Sequence, residues 1–231
     1  MRSTVQELLD SLCAAASEEE RRQWAVASAQ ALGLGGMAIS LGQGQGQELV
    51  WFSDETSVRL EDLQFVLGQG PSQLFQSETG TREVPDLGQL LARQWPQFAI
   101  EAEALGIAAL FVWPVHIGAA QVGTMTGYRR TAGPLTAEQS AQGRLVADAL
   151  AQQLLNRWPD RGDPGKSSGG AGTVGLHRAE VHQATGVISE RLGVSLVEAL
   201  DRLRAQAYAS GRSLSDTAHT VIERELPYGT T

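Results

Sequence analysis

The sequence predicts an α+β domain followed by a small all-α domain. An antiparallel sheet flanked by helices is expected over 1–158, a flexible linker over 159–175 and a three-helix domain over 176–231. Three observations carry this reading. Paired strand-like apolar runs sit between helical segments, the order of an antiparallel α+β layer. The stretch from Pro159 to Gly175 holds six glycines and two prolines and almost nothing apolar, so burial cannot offset the entropy of ordering it. Beyond it, three apolar stripes at helical spacing are each bounded by a capping residue or a glycine.

The elements follow in order. Ser17-Glu-Glu-Glu20 is a capping box, in which the serine accepts from orphan N–H groups and Glu20 reaches back. The helix it starts runs through Trp24, Ala27 and Ala31 to a stop at Gly33. Met37 to Leu41 and Leu49 to Ser53 read as two antiparallel strands joined by the glycine-rich Gly42–Gln47. Val58 to Leu67 is helically periodic and ends in Gly68-Gln-Gly-Pro71. Leu87 to Leu105 is mostly helical with a break at Trp95-Pro96. Ala108 to Ile117 and Gln121 to Tyr128 are two stronger strands around the turn Gly118–Ala120. Thr136-Ala-Glu-Gln139 is another capping box, opening a long helix through Leu145, Val146, Ala149, Leu150, Leu154 and Leu155.

After the linker, the first helix spans about Leu176 to Leu192, with Val181, Ala184, Val187 and Ile188 on one face and Gly193 as stop. The second opens on the capping box Ser195-Leu-Val-Glu198, carries Ala199, Leu200, Leu203, Ala207 and Tyr208, and stops at Gly211. The third starts near Ser213 or Ser215 and carries Leu214, Ala218, Val221, Ile222 and Leu226 before Pro227. About fifty residues with three apolar stripes close a small and marginal core.

Composition excludes several function classes. No apolar run approaches the roughly 20 residues that span a bilayer, and Met1–Asp10 carries acids without an apolar h-region, so neither a membrane span nor a signal peptide is expected. The single cysteine, Cys13, rules out an internal disulfide framework. A cytoplasmic protein is expected. The net charge of −8 divides into −7 over 1–158, from ten basic and seventeen acidic residues, and −1 over 159–231, from eight and nine. Nucleic-acid binding therefore needs a local cluster of cations, because bulk charge attracts no phosphate.

No catalytic constellation emerges. Gly165-Lys-Ser167 resembles the end of a phosphate-binding loop, but Asp160 stands where its first glycine belongs. Gly33-Leu-Gly-Gly-Met-Ala38 follows a helix and enters a strand, the reverse of dinucleotide-binding order. His116, His177, His182 and His219 form no i, i+4 pair, and no nucleophile elbow occurs. The protein is expected to be no enzyme and to hold no metal or cofactor.

Leu63-Gln-Phe-Val-Leu-Gly-Gln-Gly-Pro-Ser72, Val84-Pro-Asp-Leu87, Arg93-Gln-Trp-Pro-Gln-Phe98, Phe111-Val-Trp-Pro-Val115 and Gly133-Pro-Leu-Thr136 resemble a GAF domain of the actinobacterial kind. The resemblance spans most of 5–157. It implies a sheet with helices on one side, a small-molecule pocket on the other and a homodimer formed by terminal helices. Trp51, Phe65, Phe75, Trp95, Phe98, Phe111, Trp113 and Met125 are then candidate pocket residues, each with plain core packing as its alternative. Cys13 lies outside the pocket region, which speaks against a thiol-linked bilin.

His182-Gln-Ala-Thr-Gly186, Gly193-Val-Ser-Leu-Val-Glu-Ala199, Leu203-Arg-Ala-Gln-Ala207 and Gly211-Arg-Ser-Leu-Ser-Asp-Thr-Ala218 resemble an ANTAR domain. The family implies a regulator that binds paired RNA hairpins in leader transcripts and prevents transcription termination. Thr185 stands where the family often has a lysine, and residues 176–226 hold six arginines against seven acids. RNA contact then falls to Arg178, Arg202, Arg204 and Arg212, with Gln183 and Thr185 as neutral hydrogen-bonding contacts. Arginine forks grip phosphates by paired bonds, so a few suffice. The alternative for Arg202 and Arg204 is a solvated helix face. The second function class that the charge balance allows is a dimerisation or protein-docking regulator without a nucleic-acid role.

Overall fold

The computed structural model describes residue 8 and residues 17–42, 47–73, 80–157 and 178–225. The linker expected over 159–175, together with Cys13, Phe75, Lys166 and His177, lies outside the described residues. Contacts divide the chain into two compact units, one of Met1–Gln43 with Leu49–Gly175 and one of Gly44–Glu48 with Leu176–Thr231.

In the first unit the capping box at Ser17 forms as expected. Ser17 Oγ accepts from Glu20 N at 3.2 Å while the Glu20 carboxylate accepts from Ser17 N at 2.8 Å. The helix α1, Glu18–Ala31, follows. Next come β1, Gly36–Leu41, and β2, Glu48–Phe52. Asp54 then caps α2, Glu55–Leu67, with its carboxylate on Ser57 N at 2.7 Å. A strand that the sequence reading did not expect, β3 (Arg82–Val84), is three residues long, too short for an alternating pattern to register. Pro96 occupies the first turn of a new helix and splits the next segment into α3, Leu87–Gln94, and α4, Pro96–Ala104. The strands β4, Ala109–Ile117, and β5, Ala120–Arg129, form the hairpin expected around Gly118. The long α5, Ala137–Arg157, opens on a reciprocal capping box, Thr136 Oγ1 to Gln139 N at 3.1 Å and Gln139 Oε1 to Thr136 N at 3.0 Å.

The sheet order is β2-β1-β5-β4-β3. The β1–β5, β5–β4 and β4–β3 pairs are antiparallel. Register puts Ile39, Met125 and Trp113 abreast on one face, and Ala38, Thr126 and Val112 abreast on the other. Pro114 lies beyond the short stretch of β4 that β3 reaches, Leu110 to Val112, where a missing N–H disturbs the ladder least.

Helices cover both faces. Against the first, Trp24, Ala25 and Ala29 of α1 and Val146, Ala147, Leu150 and Ala151 of α5 pack on Met37, Ile39, Phe111, Trp113 and Met125. Against the second, Leu60 of α2, Leu87 of α3 and Phe98 and Ala102 of α4 pack on Leu110 and Tyr128. The buried phenol of Tyr128 donates to Asp54 Oδ2 at 2.9 Å, tying β5 to the start of α2.

Close approach of α5 to the sheet depends on one residue. A Cβ built at Gly143 meets the indole of Trp113, whose Nε1 donates to Ser140 O at 3.3 Å. Gly143→Val is therefore expected to cost about 1–3 kcal/mol by overpacking, read as a Tm several degrees lower in thermal denaturation. Tyr128 supplies a second prediction. Burial raises its pKa above 10.0; the hydrogen bond to Thr56 opposes this, the hydrogen bond and charge of Asp54 add to it, and the charge of Arg130 lowers it. The folded state thus prefers the neutral phenol, and its contribution is complete below the unfolded pKa and lost as pH rises through the folded one. Urea midpoints between about pH 9 and pH 11 should fall more steeply for the wild type than for Tyr128→Phe.

Candidate nucleic-acid interface and aromatic core

The second unit is three helices: α6, Ala179–Leu192, α7, Leu196–Ser210, and α8, Leu214–Glu225. Gly193 and Gly211 end the first two in the left-handed region, at φ 63° and 64°, where a side chain is strained. Val181, Ala184, Ala199, Leu200, Leu203, Ala207, Leu214, Ala218 and Ile222 are buried. The alanines let the helix backbones approach closely. Ser195 caps α7 through Glu198 N at 3.2 Å, but the return half of the expected box is replaced: Glu198 Oε1 accepts from Arg202 Nη2 at 2.7 Å instead. Ser213 is the cap of α8, its Oγ accepting from Asp216 N at 3.0 Å, which decides between the two starts the sequence left open.

The candidate RNA contacts differ in exposure. Gln183, Arg202 and Arg212 are exposed. Arg202 is held by Glu198, and Arg212 Nη1 donates to Thr220 Oγ1 at 3.0 Å, which steers its guanidinium along α8. The Arg204 side chain is only 14% exposed and donates to Asp201 Oδ1 at 3.0 Å. Burial lowers its pKa, Asp201 opposes that, and the charge of Arg178 adds to the lowering.

Two candidates are turned inward. Thr185, 5% exposed, donates its hydroxyl to Val181 O at 2.7 Å within its own helix. A short side chain on the core-facing stripe has little reach to solvent. Arg178, 3% exposed, precedes α6, and its Nη1 donates to the carbonyl of Gln47, a residue of the same unit, at 3.2 Å. Sequence spacing started the helix near Leu176, ahead of Arg178, whereas α6 starts at Ala179; Thr185 lies on the helix as expected, on its inward face. Conversely, Arg191 and Arg224 are exposed at the ends of α6 and α8 and escaped the sequence reading. Their signal was available, since a cation in a last turn complements the helix dipole and stays at the surface. Tyr208, read as part of the α7 stripe, is 75% exposed, and Leu192, Leu196 and Val197 are exposed with it.

In the first unit the sheet separates the candidate pocket residues. Trp51, Phe111, Trp113 and Met125 lie in the core beneath α1 and α5. Trp95 and Phe98 lie on the opposite face, their rings edge to face at 6.4 Å, and Phe65 is buried on α2. These seven cannot line one cavity, because a strand's alternate residues point to opposite faces.

The α2 face holds instead a buried polar string that aromatic residues did not disclose. Ser40 donates to Glu61 Oε2 at 2.7 Å, Gln64 Nε2 to Glu61 Oε1 at 2.9 Å, and Ser72 N to Gln64 Oε1 at 2.9 Å. Among the described residues no group of histidine, cysteine and acids is placed to hold a metal ion, and no helix is long and apolar enough to cross a membrane.

Residues 176–222 match the ANTAR domain family. Among solved structures, the GAF domain of A. aeolicus nlh2 in an inactive state is 14% identical with a TM-score of 0.50, over 68% of this chain and 96% of that one. The GAF domain of a phosphoenolpyruvate-protein phosphotransferase from Coxiella burnetii is 14% identical with a TM-score of 0.50, over 67% of this chain and 94% of that one. No curated protein matches the chain.

The marginal core of the second unit makes it sensitive to a single cavity. Leu203→Ala should cost that unit about 2–5 kcal/mol. The expected readout is loss of part of the helical circular dichroism at ambient temperature, with the main thermal transition of the first unit retained. The fold of the first unit is that of a GAF domain, and the chain joins it to a C-terminal segment that matches the ANTAR domain.

Proposed function

We propose that the protein is a cytoplasmic, signal-responsive transcription regulator that binds RNA hairpins through its three-helix unit and antagonises termination, under control of its GAF-fold unit. The observation that carries the reading is the ANTAR match over 176–222, which coincides with a three-helix unit presenting Arg202 and Arg212. It acts as a homodimer without catalysis of its own. Two three-helix units in one dimer engage two hairpins of a leader transcript, and the second contact gains from effective concentration. A small ligand of the GAF-fold unit sets the arrangement.

A protein-docking role is the competing reading. It is favoured by six arginines against seven acids over 176–226 and by the exposed Leu192, Leu196, Val197 and Tyr208. Electrophoretic titration of the full chain against tandem-hairpin leader RNAs at several salt concentrations separates the two. RNA binding through phosphates makes affinity fall steeply with salt. Arg202→Ala and Arg212→Ala should each weaken binding and lower the salt slope by about 0.7–0.9. Absence of binding to any such RNA, or a slope unchanged in both variants, overturns the RNA reading.

A further inference from the structure

The first unit contains a concavity that the RNA reading does not use. Glu19, Arg21 and Arg22 from the first turns of α1 and Val50, Trp51 and Phe52 from the edge strand β2 line a solvent-open cavity of about 260 Å³. It borders α1, whose core face lies across the sheet from the α2 face with its Ser40–Glu61–Gln64 string.

Its charge is unusual for this acidic unit. Arg21 Nε is buried and has no hydrogen-bond partner among the described residues. Arg22 is exposed, and no hydrogen bond or ion pair engages its guanidinium among the described residues. The one acid of the lining, Glu19, accepts from Gln23 Nε2 at 2.9 Å, so the lining carries one net positive charge. Two arginines in the lining of one cavity favour an anionic partner there.

The rest of the lining is flat and apolar. Trp51, 7% exposed, is held edge to face against Trp24 at 5.8 Å and 68°, and Trp24 is itself anchored by its Nε1 on Leu8 O at 2.8 Å. The indole is therefore a rigid wall. The volume is below the roughly 300–1,000 Å³ of cavities that take drug-sized ligands.

We propose that this cavity binds a small aromatic carboxylate. The carboxylate pairs with the guanidinium groups of Arg21 and Arg22, whose planar forks match it. The ring packs on the Trp51 indole, where aromatic edges and faces gain from contact. A bare inorganic anion would leave that wall wet, and a neutral ring would leave the net positive charge of the lining without a counter-charge.

The test uses the full chain without RNA, so its outcome is independent of the hairpin reading. Benzoate is titrated calorimetrically, with benzyl alcohol and inorganic phosphate as controls. Saturable binding of one benzoate per chain is expected, about tenfold or more tighter than either control. Arg21→Gln should weaken it by about tenfold, and Arg22→Gln, an exposed substitution that leaves packing intact, by a smaller factor in the same direction. No saturation below about 10 mM benzoate, equal affinity for benzyl alcohol or phosphate, or affinity unchanged in both variants overturns the proposal.

Discussion

The first unit depends on how closely α5 lies over the aromatic strand β4. Gly143 faces the Trp113 indole with no room for a side chain, and the indole N–H closes on Ser140 O. That contact lets a helix backbone rest almost directly on the sheet. It sets the depth of the core in which α1 and α5 enclose Phe111, Trp113 and Met125. A concavity lies at the margin, where α1 meets edge strand β2 beside Trp51.

The opposite face is organised by polar contacts. Tyr128 reaches across to Asp54, the capping residue of α2, so one carboxylate both starts the helix and anchors it to β5. Further along the face, Ser40, Glu61, Gln64 and Ser72 are linked in sequence by hydrogen bonds between 2.7 and 2.9 Å. Buried polar groups are tolerable when each is bonded, and a bonded string holds α2 and the loop after it at a fixed register on the sheet.

The second unit works under a different constraint. Its core is built largely of alanine and leucine, and few of its arginines are free of local acceptors. Glu198 holds Arg202 and Asp201 holds Arg204. Phosphate recognition by such a surface means exchanging one acceptor for another, so the net gain per contact is smaller than for an isolated cation. The His219 ring lies between Glu180, at 3.7 Å, and Glu223, at 3.1 Å, where α6 meets α8.

Much of the fold is legible in the sequence because its signals are local. Capping boxes at Ser17 and Thr136, glycine stops at Gly193 and Gly211, the Pro96 break and the hairpin at Gly118 each act over a few residues, and all form. Three-residue β3 lacked enough length for a period, and Glu198 had two acceptable local partners, of which Arg202 won. The candidate sites were less legible. The residue types and their elements were apparent, but facing is a tertiary property. Strand register and the packing of α1 and α5 put Trp51, Phe111, Trp113 and Met125 on one side and Trp95 and Phe98 on the other. The rotation of α6 that buries Val181 and Ala184 carries Thr185 inward with them, because neighbours on one helix face share its fate. The sequence by itself determined which segments fold and where they stop; only packing between segments decided which side chains were left to meet a ligand.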